Sequence, residues 1–290
     1  AANGLAGLER VPAAQIRDHE PHAAGLEALF VPEAGVVDYA RVAAALAQGI
    51  EENGGGVRTS ARVLHIVRDG ERLVLDTEAG AIRSRVLVAC AGLQADRIAR
   101  LAGLQSDVAI VPFRGDYFSL VPVRAELVKT LIYPVPDPRF PFLGVHFTRR
   151  IDDVVEVGPN AVLALDRCGY GSYGVSPRDA FDAAMFPGLW RFVARHLSTA
   201  AGEVVRTVSP AAFASAARRL VPDLRRSDLV RAGCGIRAQA MRSDGSLVED
   251  FHFVEDAHMI HVLNAPSPAA TASLAIGEEI GARALRRLGQ

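Results

Sequence analysis

Two residues in this chain of 290 residues have the types and surroundings that proton transfer and carboxylate binding require. His146 lies in FLGVHFTRR, where strand alternation gives it the same face as Gly144 and Thr148. Arg237 lies in GCGIRAQAM, where small neighbours leave room around the guanidinium. Histidine takes up a proton near neutral pH, and arginine holds a carboxylate through two parallel N–H bonds. The alternatives are a buried structural histidine and a structural ion pair.

A third candidate is HVLNAPSPAATASLAIGEEI, residues 261–280, which has the pattern of a buried strand, a proline-containing loop and a long helix. We predict that this helix begins at Ala269 and that its first turn, through Ser273, carries no bulky or charged side chain. The first N–H groups of a helix have no partner within it and lie at the positive end of its dipole. Here they would be bare for a carbonyl-rich or anionic ligand. The alternative is an ordinary helix start after two prolines.

Other motifs lack the context that their chemistry needs. Gly169, Gly171 and Gly174 match the letters of a dinucleotide-binding motif, but the following helix can begin only at Ser176, outside the glycines. We interpret the segment as a mobile loop or a loop on the substrate side. Hydrolase motifs are missing, and no pair of histidines shares a face at metal-binding spacing, so we predict no metal site.

Composition narrows the class of protein. Half of the residues are apolar, which is enough for a large core in one domain or two. A net charge of −1 gives no case for nucleic acid or an anionic membrane as a partner. Cys90, Cys168 and Cys234 have no C-x-x-C spacing, which favours reduced thiols in a cytoplasmic compartment. No apolar run has the length of a transmembrane segment, and the first residues lack the pattern of a signal peptide.

The elements that position these candidates alternate along the chain. We predict a helix capped by Asp38, three strands and a second helix within residues 38–102; strands at 110–121, 131–133, 144–149 and 154–165; helices at 177–196, broken at Pro187, and 210–220; and strands at 235–241 and 248–254 before the C-terminal stretch. This order predicts an α/β plus α+β fold. Residues 1–106 and 227–290 would form one discontinuous domain, with a mixed, mostly antiparallel domain of residues 107–226 inserted.

Five segments together resemble a known family. They are LVACAGLQADRIARLAGL (87–104), IVPFRGDYF (110–118), FPFLGVHFTRRIDDVVEVGPNAVLAL (140–165), GCGIRAQAM (233–241) and the C-terminal stretch (261–280). In this order they resemble the FAD-dependent L-2-hydroxyglutarate oxidases/dehydrogenases, which are D-amino-acid-oxidase-like flavoproteins. The resemblance implies FAD as cofactor and oxidation of L-2-hydroxyglutarate to 2-oxoglutarate, with hydride transfer to the flavin. Oxygen or a quinone would accept the electrons, in the cytoplasm or peripherally on the inner membrane.

The resemblance also implies roles for individual residues. His146 would accept the proton of the substrate hydroxyl, and Arg237 and Arg114 would hold carboxylates. The cofactor-binding positions would be Val63 at the adenine, Ala91 and Gly92 beside the nucleotide, Gly235 near the flavin, and Pro268, Ala269, Ala270 and Thr271 at the pyrimidine end of the flavin ring.

One departure from the family pattern concerns the start of the chain. Family members begin with a strand, a G-x-G-x-x-G loop and a helix, whereas this sequence begins at AANGLAGLERV. We therefore expect an incomplete, truncated FAD-binding Rossmann-like domain and weak retention of FAD by the chain alone. Two alternatives stay open: a related amino-acid or amine oxidase of the same superfamily, and a non-catalytic binding module without flavin.

Overall fold

A computed structural model of the chain describes residues 4–135, 144–171, 174–197, 207, 209–266 and 268–289. The strands are β1 (Glu9–Pro12), β2 (Glu27–Phe30), β3 (Val63–Asp69), β4 (Arg72–Thr77), β5 (Gly80–Ser84), β6 (Leu87–Ala89), β7 (Val108–Leu120), β8 (Leu131–Ile132), β9 (His146–Arg149), β10 (Val155–Gly158), β11 (Val162–Leu163), β12 (Leu229–Arg242), β13 (His252–Glu255) and β14 (Met259–Asn264). The α-helices are α1 (Ile16–His19), α2 (Tyr39–Glu52), α3 (Ala95–Leu101), α4 (Pro177–Met185), α5 (Pro187–Arg195), α6 (Pro210–Ala217) and α7 (Ser273–Leu288).

The largest sheet is antiparallel and is built around the long strand β7. Its order is β11-β7-β10-β9-β8, and β12 pairs with β7 along nearly its whole length. The two large rings of Phe147 and Phe213 are fully buried in the core between this sheet and α6. The pairing confirms the predicted succession of mostly antiparallel strands in the middle of the chain, but the predicted strand 154–165 is two strands, β10 and β11, which lie on opposite sides of β7.

A smaller sheet holds the only parallel pair among the described strands. Its order is β13-β14-β6, with β6 parallel to β14 and His261 opposite Ala89. Helix α3 packs against it through Ala95 and Ala99, which share a buried cluster with Leu263. Because β6 and β14 run in the same direction, the loops that follow them leave from the same edge. Ligands bind at this edge in α/β folds.

Several local predictions are confirmed. Asp38 caps α2 by accepting bonds from the N–H groups of Ala40 (2.9 Å) and Arg41 (3.3 Å). The helical stretch after Ser176 is broken at Pro187 into α4 and α5, as predicted from a residue that has no N–H group to donate. The mixture of helices and sheets is the predicted α/β plus α+β class.

Other local predictions need correction. Strand β13 occupies His252–Glu255 instead of 248–254, because Asn264 donates to the carbonyls of Val248 and Asp250 and holds that segment outside the ladder. The hairpin of β1 and β2 was not predicted. Strand β12 lies in the six-stranded sheet, although the predicted boundary at 227 assigned it to the other domain. The division into two domains stays a prediction.

Candidate active site

One face of the six-stranded sheet brings His146 close to two tyrosines. His146 on β9 lies opposite Gly158 on β10, and a Cβ added to Gly158 would lie 3.1 Å from the ring of Tyr117 on β7. Residues opposite each other in an antiparallel ladder share a face, so His146 and Tyr117 flank the position of a residue with no side chain. A Cβ there would also lie 2.9 Å from the carbonyl oxygen of Asp116, so the close packing between His146 and Tyr117 requires a glycine.

The hydrogen bonding of His146 fixes which ring nitrogen is basic. Nδ1 lies 3.0 Å from the carbonyl oxygen of Gly144, which can only accept, so Nδ1 carries the proton. The neutral ring then has its lone pair on Nε2. Burial lowers the pKa of His146 below its usual 6.5; the bond to Gly144 opposes this and the charge of Arg237 adds to it. His146 is therefore a neutral proton acceptor near neutral pH.

Tyr133 holds the imidazole from the side. Its ring stacks on His146 with centroids 4.2 Å apart and an interplanar angle of 17°. Its hydroxyl shares a 2.9 Å hydrogen bond with Oγ1 of Thr148. Since β8 pairs Leu131 with Thr148 and Ile132 with Phe147, the next residue, Tyr133, falls beside His146. Sequence reasoning missed this residue because the pairing of β8 with β9 is set by the tertiary fold.

A cavity of about 840 Å³ opens on this face. Its lining includes His146, Tyr117, Tyr133 and Thr148, together with Thr271 and residues 35–39 at the start of α2. Sites for small molecules and cofactors commonly have volumes of about 300–1,000 Å³. The cavity can therefore hold a ring system together with a small substrate. Its lining includes residues of two separate predicted site segments, the strand of His146 and the C-terminal stretch with Thr271.

Arg237 on β12 lies opposite Phe113 of β7, two positions beyond Gly235. Its charge acts on both His146 and Tyr117: it helps to lower the pKa of His146, and it opposes the burial that raises the pKa of Tyr117. A Cβ on Gly235 would lie 3.9 Å from the ring of Tyr117. The structure therefore brings His146, Arg237 and Gly235 to one region, and Tyr117 is a further residue that sequence reasoning missed. Its signal is the alternation in RGDYF, which gives Tyr117 the face of Gly115.

Arg114 lies apart from this group, and its predicted role in holding a substrate carboxylate stays a prediction. It lies opposite Ile236, so strand alternation directs it to the face opposite Arg237. There it is buried, with Nε donating to Oδ1 of Asp116 (2.8 Å) and Nη1 donating to the carbonyl of Gly169 (2.7 Å). The glycine-rich loop interpreted as a substrate-side loop therefore begins against Arg114; Tyr173 within it lies outside the described residues.

The segment before α7 also differs from its prediction. The helix begins at Ser273, four residues after Ala269, and residues 268–272 form turns. The carbonyl of Pro268 accepts from the N–H groups of Thr271 (3.1 Å) and Ala272 (3.3 Å) and from Oγ1 of Thr271 (2.7 Å). The bond from Ala272 spans four residues, as in a regular α-helix, whereas the two bonds from Thr271 span three residues and form a turn, so one N–H group predicted to be bare has a partner. Ser267 lies outside the described residues.

The remaining predicted cofactor positions lie near the edge where parallel strands end or in the neighbouring sheet. Ala91 and Gly92 follow β6 after Cys90 and begin the turn into α3, with Gly92 at φ +51°, a conformation that glycine adopts readily. Val63 begins β3 and pairs with Thr77. Nothing but the backbone and small side chains lies at 91–92, which suits close approach of a nucleotide. Together with the cavity beside Thr271, these positions fit a flavin dinucleotide.

The chain is similar in sequence to known flavoproteins. Residues 1–283 match the family of FAD dependent oxidoreductases. An L-2-hydroxyglutarate dehydrogenase of Indibacter alkaliphilus is 43% identical over 98% of this chain and 72% of its own length. The mitochondrial L-2-hydroxyglutarate dehydrogenases of Caenorhabditis elegans and Homo sapiens are each 42% identical, over 98% and 94% of this chain and 68% and 63% of their own lengths.

Solved structures show the same fold. An L-α-glycerophosphate oxidase from Mycoplasma pneumoniae with FAD bound has a TM-score of 0.71 at 18% identity, over 98% of this chain and 65% of that one. A glycine oxidase from Bacillus cereus has a TM-score of 0.61 at 13% identity, over 94% and 63%. The fold is shared with these flavin-dependent oxidases. The chain belongs to the FAD dependent oxidoreductase family, which confirms the predicted cofactor and enzyme class.

Proposed function

We propose that the protein oxidises L-2-hydroxyglutarate to 2-oxoglutarate. Relatives named L-2-hydroxyglutarate dehydrogenase, from bacteria and animals, match almost the whole chain at 41–43% identity. The observation on the structure that supports the proposal is His146, a neutral imidazole with Nε2 as its basic atom, on the wall of a cavity that also contains Thr271. FAD, when bound, supplies the acceptor for the hydride that leaves C2 of the substrate.

The chain's own residues would accept the proton of the substrate, bind its carboxylate and hold the cofactor. His146 would accept the hydroxyl proton at Nε2, while the Nδ1 bond to Gly144 and the stacked ring of Tyr133 hold the imidazole in place. Arg237 would bind a carboxylate of the substrate and raise its local concentration beside His146. Residues 268–271 and 91–92 would hold the flavin and the nucleotide. These assignments follow the positions described above and are the part that mutation can test.

The direct test is reduction of bound flavin by substrate without oxygen. Protein loaded with FAD should lose its visible absorbance on addition of L-2-hydroxyglutarate and release one 2-oxoglutarate per flavin. The D-enantiomer serves as the stereochemical control. Bleaching by glycine or sarcosine, with none by L-2-hydroxyglutarate, would overturn the substrate assignment in favour of an amine oxidase.

A second measurement concerns the electron acceptor, which we propose is oxygen or a quinone. Steady-state turnover with dissolved oxygen, compared with turnover on a soluble quinone under nitrogen, separates the two. The acceptor that gives the higher turnover at saturating substrate is the one that the protein uses.

A further inference from the structure

A buried arginine connects the proposed nucleotide-binding turn to two other segments of the chain. Arg167 is 3% exposed and follows β11 at the start of the glycine-rich loop. Its Nη1 donates to the carbonyl of Leu93 (2.7 Å) and to Oδ1 of Asp96 (2.6 Å). Its Nη2 donates to Oδ2 of Asp96 (3.1 Å) and to the carbonyl of Ile110 (2.8 Å). One guanidinium therefore joins the turn after β6, helix α3 and strand β7.

The turn itself is short and open on its exposed side. Gln94 donates its N–H to the carbonyl of Ala91 (2.9 Å), which closes the turn. Gly92 is exposed, and a Cβ added to it would meet no atom within 4 Å. The carbonyl of Leu93 is bound by Arg167, 74 residues further along the chain. The turn is thus held at Leu93 and accessible at Gly92, as a loop that binds a nucleotide through its backbone must be.

The ion pair with Asp96 fixes the orientation of the guanidinium. Asp96 is 4% exposed, and each of its carboxylate oxygens accepts from a different nitrogen of Arg167. Burial raises the pKa of Asp96, but the hydrogen bonds and charge of Arg167 outweigh it, so that the pKa lies below its usual value. The carboxylate is therefore charged near neutral pH. Two parallel N–H bonds to a carboxylate give a pair both strength and a defined geometry.

The backbone of Arg167 is held as well. Its N–H donates to Oδ2 of Asp179 on α4 (2.8 Å), and Oδ1 of the same carboxylate accepts from Arg97 on α3 (2.6 Å). Two positions later, the carbonyl of Gly169 accepts from Arg114 of β7 (2.7 Å). Arg167 is therefore fixed at its main chain and at its side chain. A side chain held in this way can position the groups that it binds.

We propose that Arg167 is a positioning residue for the cofactor. Through the carbonyl of Leu93 it would hold residues 91–92 in the conformation that binds the nucleotide part of FAD. This inference rests on the proposed assignment of residues 91–92 to the nucleotide. Arg167 is not among the described residues that line the cavity beside His146. Its effect should therefore be on the affinity for FAD, and the reaction at saturating FAD should not depend on it.

The test is the Kd for FAD, measured by titrating cofactor-free protein and following the flavin fluorescence. Arg167→Met should raise this Kd about tenfold, the equivalent of one charge-assisted hydrogen bond. Arg167→Lys keeps a positive charge beside Asp96 but lacks the planar fork that reaches Leu93 and Ile110 together. It should therefore raise the Kd nearly as much while losing less stability to urea, which keeps the test decisive if Arg167→Met does not fold. At saturating FAD, Arg167→Lys should reduce its flavin at the parent rate.

Two further variants separate the turn from the ion pair. Arg100→Gln is the matched control, because Arg100 donates to the same carboxylate oxygen of Asp96 (3.1 Å) from a side chain that is 61% exposed. Among the residues that the structure describes, Arg100 has no bond to the turn at 91–94, so this variant should leave the Kd for FAD unchanged. Gly92→Ala changes the turn directly. It adds a methyl group at φ +51°, where a side chain is unfavourable, and should raise the Kd.

Two results would overturn the role of Arg167. One is a folded Arg167→Lys protein with the parent Kd for FAD while Gly92→Ala raises it; the turn would then bind the nucleotide without help from Arg167. The other is an equal rise in Arg167→Lys and Arg100→Gln, which would assign the effect to the charge balance at Asp96. A parent Kd in Gly92→Ala as well would contradict the assignment of the turn to the nucleotide. Reduction of flavin by L-2-hydroxyglutarate tests the proposed substrate separately.

Discussion

Arg114 and Arg237 lie on paired strands within one residue of being direct partners, yet their surroundings differ completely. Arg114 is 8% exposed and donates to Asp116 and to the carbonyl of Gly169. Arg237 acts electrostatically on His146 and Tyr117 at the cavity. A shift of one position along a strand moves a side chain to the other face of the sheet. The same residue type thus joins the core in one case and the candidate active site in the other.

The role of an arginine in a sheet therefore depends on the residue that lies beside it on the same face. Asp116 follows Arg114 by two positions and therefore shares its face, so the pair is formed within one strand. Arg237 has Gln239 at the equivalent position, which carries no charge. Substitutions can test whether Arg114 contributes to stability and Arg237 to substrate binding.

The largest effect on the rate of flavin reduction is expected at His146. His146→Ala should lower the rate of flavin reduction by substrate about 10²- to 10⁴-fold, because it removes the neutral Nε2 that would accept the hydroxyl proton. Stopped-flow absorbance of FAD-loaded protein measures it. The affinity for FAD, measured by titration, is the control and should not change. A normal rate of reduction would remove His146 from the chemistry.

Arg114→Met should affect stability far more than binding. Removing one member of a buried ion pair leaves an uncompensated charge and costs about 3–5 kcal/mol of the free energy of unfolding. Urea denaturation measures this cost. The matched control is Arg62→Met, which breaks a pair with Glu78 whose side chains are 74% and 44% exposed and should cost at most about 1 kcal/mol. Equal costs for the two variants would contradict the core role of Arg114.

Arg237→Met should affect substrate binding and turnover far more than stability. Losing a charge-assisted bond to the substrate carboxylate should lower kcat/KM about 10- to 150-fold, the equivalent of about 1.5–3 kcal/mol. The unfolding midpoint should move less than in Arg114→Met. Steady-state kinetics on both variants gives the comparison. If Arg114→Met lowers kcat/KM as much while the protein stays folded, the two arginines share the substrate and the division fails.

The sequence was sufficient for the features that depend on local rules. The cap at Asp38, the break at Pro187 and the strand containing His146 follow from hydrogen-bonding capacity and alternation. Features that depend on which strand lies next to which could not be predicted. Tyr133 reaches His146 only because β8 pairs with β9. The start of α7 at Ser273 depends on the turns at residues 269–272, which include a bond across three residues from the N–H of Thr271 to the carbonyl of Pro268.

The decline of kcat/KM at low pH also distinguishes Arg237 from Arg114. His146 acts in its neutral form, and burial together with the charge of Arg237 lowers its pKa below 6.5. The midpoint of the decline in kcat/KM at low pH should therefore lie below 6.5. In Arg237→Gln the repulsion of the imidazolium is removed, so the pKa rises and the decline begins at higher pH. Arg114→Gln, which removes charge from the opposite face, should leave the midpoint in place, and an equal shift in both variants would contradict the assignment of faces.

The smallest effect is expected at Tyr133, which acts on the reaction through His146. Tyr133→Phe keeps the ring stacked on the imidazole and removes only the hydrogen bond to Thr148, which is worth about 0.5–1.5 kcal/mol. The rate of flavin reduction should fall by no more than about tenfold, with KM unchanged. Tyr133→Leu loses the stacked ring as well and should fall further, since an aromatic pair contributes about another 0.5–1.5 kcal/mol. If the two variants were equal, the hydroxyl would hold His146 and the stacked ring would not. If KM rose with kcat unchanged, Tyr133 would contact the substrate directly and would no longer be a residue that positions the base.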